Sequence, residues 1–284
     1  MKGVESVADD VYLRTVRVEN GTGWISVRNS PSDDALIVEI SPSLTSAVPA
    51  LRSTLRHLFD LDARPDLIVA ALVRDGLLAE RVAENPGLRV PGAFDGFELA
   101  LRAILGQQVT VKAATTLAGR VVHAFGEQLQ DAAHPTLTRL SPAAERIAAA
   151  TPDELSVLGI TRARARSIIV LAEEVASRRL RLEPQAAPEA VMAQLVGLPG
   201  IGAWTAHYIA MRACREPDAF PANDVGLLRG AADGTGRRPT PAGLLRRAEA
   251  WRPWRAYAAH QLWAVDSTAS DGVRHTGIGA RLRA

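Results

Sequence analysis

The 284-residue sequence predicts an α+β fold, mostly α, in which a small N-terminal antiparallel β-sheet domain precedes two helical subdomains. Strand-like runs rich in branched residues are confined to roughly the first forty positions. From Ser41 onward, apolar residues recur at three- and four-residue spacing, the period of a helix face. Two of the later helices flank a short glycine hairpin.

The strand runs are Val11–Val18, 24–27 and 35–40, three in meander order. Asn20-Gly21 separates the first two, and Pro31-Ser32-Asp33-Asp34 precedes the third, both turn compositions. Leu44, Val48, Leu51, Leu55 and Leu58 then mark a helix long enough to cover one face of the sheet. Further helices are expected over 65–75, 95–105, 110–125, 141–150, 151–158, 162–177, 188–196, 203–213, 224–231, 240–250 and 255–264. Thr151-Pro152-Asp153-Glu154 is a typical start, with proline in the first turn and acid beside the positive helix end. Residues 266–284 lack apolar periodicity and read as a frayed tail.

Composition narrows the class. With 47% apolar and 23% charged residues, the chain suits folded cores. No apolar run is long enough to span a bilayer, and the acidic first ten residues show no secretory signal, so a cytoplasmic protein without a membrane partner is expected. Cys214 is the sole cysteine, which excludes an intramolecular disulfide, an iron–sulfur cluster on four protein thiolates and a multi-cysteine zinc site. The six histidines show no metal-ligand spacing. A net charge of +2 is too small to identify a nucleic-acid partner, and the only lysines are Lys2 and Lys112.

The most informative segment runs from Leu195 to Ala206, where one helix ends, Pro199-Gly200-Ile201-Gly202 turns, and another helix opens at Ala203. Gly200 and Gly202 permit a sharp turn and a close backbone approach. Amides at the new helix start suit a phosphate, and Thr205 could add a hydroxyl donor. Such a helix–hairpin–helix grips a DNA backbone without reading sequence. The carbonyls of Val196, Leu198 and Ile201 could hold a monovalent cation. The same residues also fit an ordinary helix–helix turn. Downstream, the loop 217–224 carries Pro217 and Pro221 and ends in Asp224, a natural N-cap that would also face whatever the hairpin holds.

Hairpin, intervening helix and proline-braced aspartate resemble the helix–hairpin–helix DNA glycosylase superfamily. The segments 86–98, 101–109 and 248–257 look like 3-methyladenine DNA glycosylase II, the AlkA type, and the likeness runs from about residue 4 to Trp263. The resemblance implies base excision repair of double-stranded DNA by a nucleoid-associated monomer. Asp224 would be the catalytic carboxylate, and Trp204, Tyr208 and Trp254 the aromatic pocket for a flipped, alkylated base. Gln107 and Gln108 would lie on a DNA-facing turn, with Gln108 where relatives place an apolar wedge. Trp204 stands where strand-nicking relatives carry lysine, which implies a monofunctional enzyme. No cofactor is implied beyond the hairpin cation. Three parts are expected: a sheet plus helix over 1–65, a discontinuous helical subdomain over 66–95 and 220–284, and a central one over 96–219. By the same likeness relatives place another strand and helix before the segment that begins at Val4, so either the sheet is truncated or the true start lies upstream.

Overall fold

The computed structural model describes residues 1–19, 21–130, 134–184 and 186–269. Four strands, β1 (Glu5–Ala8), β2 (Val11–Val18), β3 (Gly21–Asn29) and β4 (Leu36–Ile40), form one antiparallel sheet in that order. The sequence shows three of them. β1 is hidden because its four residues carry little apolar alternation. Its pairing with β2 is set by the turn: Asp9 and Asp10 both adopt left-handed φ values, 50° and 59°, the twist that a two-residue hairpin needs.

The helix expected from Leu44 is split into a 3-10 segment, Pro42–Ala47, and α1 (Val48–Leu58). The 3-10 segment lies so close to β3 that a Cβ at Gly23 would stand 2.8 Å from Ser43 Oγ and 2.0 Å from Oγ of Ser41, its N-cap. Val16, Ile25 and Val27 of the sheet bury Leu44, Leu51, Leu55 and Phe59 beneath them.

The remaining helices enclose two further cores. The larger is centred on α4 (Gly96–Leu105), which buries every residue from Phe97 to Leu105 except Arg102. A helix apolar on nearly all sides belongs inside a bundle. Around it pack α5 (Val111–Phe125), α6 (Ala144–Ala148), α7 (Pro152–Ser156), α8 (Arg162–Ala176), α9 (Pro188–Gly197) and α10 (Ala203–Ala213). The second core draws on residues between Ile68 and Val90 and between Met211 and Leu262. It joins α2 (Pro65–Leu72) and α3 (Ala79–Glu84) to α11 (Val225–Gly230), α12 (Pro241–Ala248) and α13 (Arg255–Ala269). The short α3 has no counterpart in the sequence reading. α13 runs through residues 266–269, where a frayed tail was expected; the rest of that stretch, 270–284, lies outside the described residues.

A buried ionic network ties sheet to bundle. Arg14 of β2 donates to Glu98 of α4 at 2.7 Å, with both side chains almost fully buried. Its guanidinium lies over the Phe94 ring at 4.5 Å and also donates to Tyr12 Oη and the Thr15 carbonyl. Tyr12 passes the chain to Glu5, which also receives Arg102 and the N-terminal amine. These cations hold the Glu5 carboxyl far below the usual range against the opposing effect of its burial, the largest influence. Removing one member of a buried pair strands the other charge, typically at a cost of about 3–5 kcal/mol. Glu98→Ala should therefore lower unfolding free energy by about that amount in urea titrations, whereas Arg14→Met/Glu98→Leu should lose much less. A single substitution no worse than the double one would contradict this account.

Candidate active site

The site is assembled from the start of α11, one face of α10 and one face of α13. The loop before α11 is locked from both sides. His207 of α10 accepts the Phe220 N–H at 3.4 Å through Nδ1, and Arg255 of α13 makes paired bonds to Asp218 at 2.7 and 2.8 Å. Burial, then the Arg255 charge, lowers the His207 pKa, which keeps the imidazole a neutral acceptor. The Asp224 N–H closes the turn onto the Pro221 carbonyl.

Asp224 is an N-cap and more. Oδ1 accepts the Leu227 N–H and the Trp263 indole N–H, each at 2.8 Å, and Oδ2 accepts the Trp204 indole N–H at 2.7 Å. One carboxylate thus collects donors from three helices while keeping part of its surface open to solvent. Close helix packing makes this reachable. A Cβ at Gly230 would meet the Leu262 carbonyl oxygen at 2.2 Å, and one at Gly226 would meet Trp263 Cδ1 at 3.1 Å. Two glycines one turn apart let α13 lie against α11.

Trp204 and Tyr208, four residues apart on α10, stack with centroids 5.4 Å apart and planes 6° from parallel. Arg212, one turn further, donates to Tyr208 Oη at 2.6 Å and to the Pro91 and Gly92 carbonyls at 2.8 and 3.2 Å. On α13, His260 lies edge-on to Trp263 at 5.0 Å. Its pKa is pushed down to about 3 by burial and, secondarily, by Arg212. Trp204, Tyr208, Asp224, His260 and Trp263 each stay partly exposed, so the cluster forms an aromatic wall around an accessible carboxylate.

Trp254, expected in this group, is elsewhere. It sits edge-on to Tyr257 at 5.8 Å and lines a separate cavity of about 250 Å³ with His57, Asp60, Met211 and Arg215. Trp254 precedes α13, and Trp263, nine residues further on, lies on the face that meets Asp224.

The hairpin between α9 and α10 differentiates its two glycines. Gly200 has φ +76°, and a Cβ there would stand 2.3 Å from Ser167 Oγ on α8. Gly202 has φ −90° and open space before it. No side chain caps α10, which leaves its first amides facing outward. Thr205 does not add a donor there: it is buried, and its hydroxyl oxygen accepts from Gln107 at 3.0 Å. Gln107 likewise turns inward, its amide also donating to the Gly200 carbonyl at 3.0 Å. It braces the hairpin, and Arg164 in turn holds its carbonyl at 2.6 Å. Gln108, by contrast, is exposed at the tip of the turn with φ +54°, a left-handed strain that a non-glycine residue rarely carries. At the hairpin itself, the Val196 and Ile201 carbonyls accept no hydrogen bond from the described residues, and Leu198 accepts one from Ile201 N–H at 3.3 Å. Neutral oxygens with lone pairs to spare suit a hard monovalent cation.

Residues 1–95 match the family model described as AlkA N-terminal domain, and residues 101–256 match that of HhH-GPD superfamily base excision DNA repair protein. The chain is similar to a Mycobacterium tuberculosis protein named probable bifunctional transcriptional activator/DNA repair enzyme AlkA, 40% identical over 92% of this chain. It spans about half (51%) of that relative's length. It is also 35% identical to Escherichia coli DNA-3-methyladenine glycosylase 2, over 95% of this chain and 91% of the relative. Among solved structures, a 3-methyladenine DNA-glycosylase from Archaeoglobus fulgidus shares the fold, with a TM-score of 0.81 at 22% identity over 94% of this chain and 91% of that one.

The two hairpin glycines should separate in a stability assay. Gly200→Ala combines positive φ with a steric overlap and should cost well over about 1 kcal/mol, while Gly202→Ala should cost less than about 1 kcal/mol. Equal losses in chemical denaturation would refute the distinction.

Two histidines also predict a pH profile. The folded-state pKa of His57 is about 4 and that of His260 about 3, both lowered from 6.5 chiefly by burial. Below 6.5 the unfolded chain binds these protons first, so their stabilisation is complete above that pH and is lost as pH falls toward 4 and 3. Unfolding free energy from urea titrations should decline as pH falls from 6.5 to 5, by up to about 1.4 kcal/mol per pH unit per histidine. A flat profile over that range would contradict the assignment.

Proposed function

The chain belongs to the HhH-GPD superfamily of base excision DNA repair proteins, in its DNA-3-methyladenine glycosylase 2 branch, and from that premise we propose that it is a monofunctional glycosylase for alkylated purines. The observation that carries this reading is the Asp224 carboxylate, pinned by two indole N–H groups and one amide beside the Trp204–Tyr208 stack. The enzyme binds duplex DNA as a monomer through the outward amides of the hairpin and extrudes the damaged nucleotide from the helix. Gln108, at its strained turn tip, fills the space that the base leaves.

A purine methylated at N3 or N7 carries positive charge. Trp204 and Trp263 offer electron-rich rings to such a base, which a neutral purine exploits less. As the C1′–N bond breaks, its electron pair leaves with the base and the sugar becomes cationic. Asp224 stabilises that charge and orients a water. The water oxygen bonds to C1′, and its surplus proton passes through Asp224 to solvent. The cationic base departs neutral, so it needs no protonation. A monovalent cation held by the Val196, Leu198 and Ile201 carbonyls would supply positive charge to the phosphate grip. Side chains and water otherwise carry every step.

The absence of lyase activity follows from the amines. Trp204 occupies the position where a Schiff-base lysine would act, and Lys112 lies in the first turn of α5, outside the Asp224 cluster. The test is direct. Wild-type protein incubated with methylated duplex DNA should release 3-methyladenine and 7-methylguanine without nicking the strand. Asp224→Asn should slow release by roughly 10²-fold or more while still binding DNA, because an amide cannot offset a cationic sugar. Equal release by both proteins would remove Asp224 from the mechanism, and borohydride-trappable adducts would overturn the monofunctional assignment.

A further inference from the structure

His260 occupies an unusual position. It sits one turn before Trp263 on α13, with its ring edge-on to that indole at 86°, and Trp263 in turn holds Asp224. Its Nε2 is buried and has no hydrogen-bond partner among the described residues. The other ionic group felt at the ring is Arg212, which is already engaged with Tyr208 and two backbone carbonyls. A buried polar nitrogen left unpaired is costly, and such groups persist where a ligand or water completes them. The residue as a whole keeps part of its surface exposed, on the cluster that surrounds the accessible carboxylate.

We propose that His260 is a specificity-determining residue that hydrogen-bonds the departing base and extends excision from cationic purines to neutral ones. The inference rests on the glycosylase reading above. Its logic is a charge balance. When the glycosidic electron pair leaves with a cationic base, the base becomes neutral and needs no help. When it leaves with a neutral base such as hypoxanthine, negative charge develops on the purine ring. A neutral imidazole N–H donating to that ring stabilises the anion without giving up its proton. The purine then takes a proton from the attacking water by way of Asp224, so the products are the neutral base and an abasic sugar. Arg212 reinforces the arrangement, since its fixed positive charge disfavours the imidazolium and keeps the ring neutral.

The experiment compares single-turnover rates on two duplexes, one holding 7-methylguanine and one holding hypoxanthine, for wild type, His260→Leu and His260→Gln. The ratio of the hypoxanthine rate to the 7-methylguanine rate should fall at least tenfold in His260→Leu, and His260→Gln, which keeps an N–H donor, should restore much of it. Thermal unfolding of each variant gives the folded fraction used for the rates. A purely structural role would slow both substrates alike, so an unchanged ratio in His260→Leu overturns the proposal, as does a fallen ratio that His260→Gln leaves equally low. Wild type that releases 7-methylguanine but no hypoxanthine overturns it as well, while the glycosylase reading stands. Wild type that releases neither base overturns both.

Discussion

One carboxylate with three N–H donors ties together α10, α11 and α13. Asp224 caps α11 with one oxygen, and the same two oxygens draw in an indole from α10 and another from α13. An ionised carboxylate is acceptor-only and has about four lone-pair sites. Three donors therefore hold its orientation yet leave capacity for a further partner. Since the donors come from different helices, the bonds of this one side chain link α10, α11 and α13 to one another. The N-cap bond aims the side chain, and the two indole bonds hold that aim.

The surrounding structure serves that constraint at some cost. Gly226 and Gly230 weaken α11 as a helix, and their gain is the close approach that brings Trp263 into reach. His207 and Arg255 spend their polar groups on the loop that delivers Asp224. Gln107 and Thr205 do the same for the hairpin, binding each other beneath it rather than reaching outward. Residues adjacent to a binding surface thus divide into those that shape it and those that face it. Polarity alone does not sort them.

The distant sheet is coupled to this body through charge as well as apolar contact. Arg14, Glu98, Glu5 and Arg102 form a network across the joint, and Tyr12 completes it. Such a network satisfies buried charges only in one docking arrangement, a specificity that apolar packing alone would lack. Met1 and Val4 deepen the joint by inserting into the core around α4.

Local signals made most elements legible in the sequence. Helix starts at Asp95, Thr110, Thr151 and Thr161 have side chains that cap in place, and the hairpin glycines mark their turn. Asp224 was legible too, because proline bracing and an N-cap are properties of adjacent residues. β1 was not, since its pairing comes from a turn and a partner strand rather than from its own composition. Trp254 and Trp263 could not be told apart by spacing. Both are tryptophans at the last long helix, and only the crossing of α13 over α11 decides which one meets the carboxylate. Gln107 and Thr205 likewise look like surface donors until the fold turns them toward each other. Most elements, the turn chemistry and the identity of the charged group were legible from sequence alone, because these depend on neighbours within a few residues. The tertiary structure alone decided which aromatic rings surround that group, because that depends on contacts between chain segments tens of residues apart.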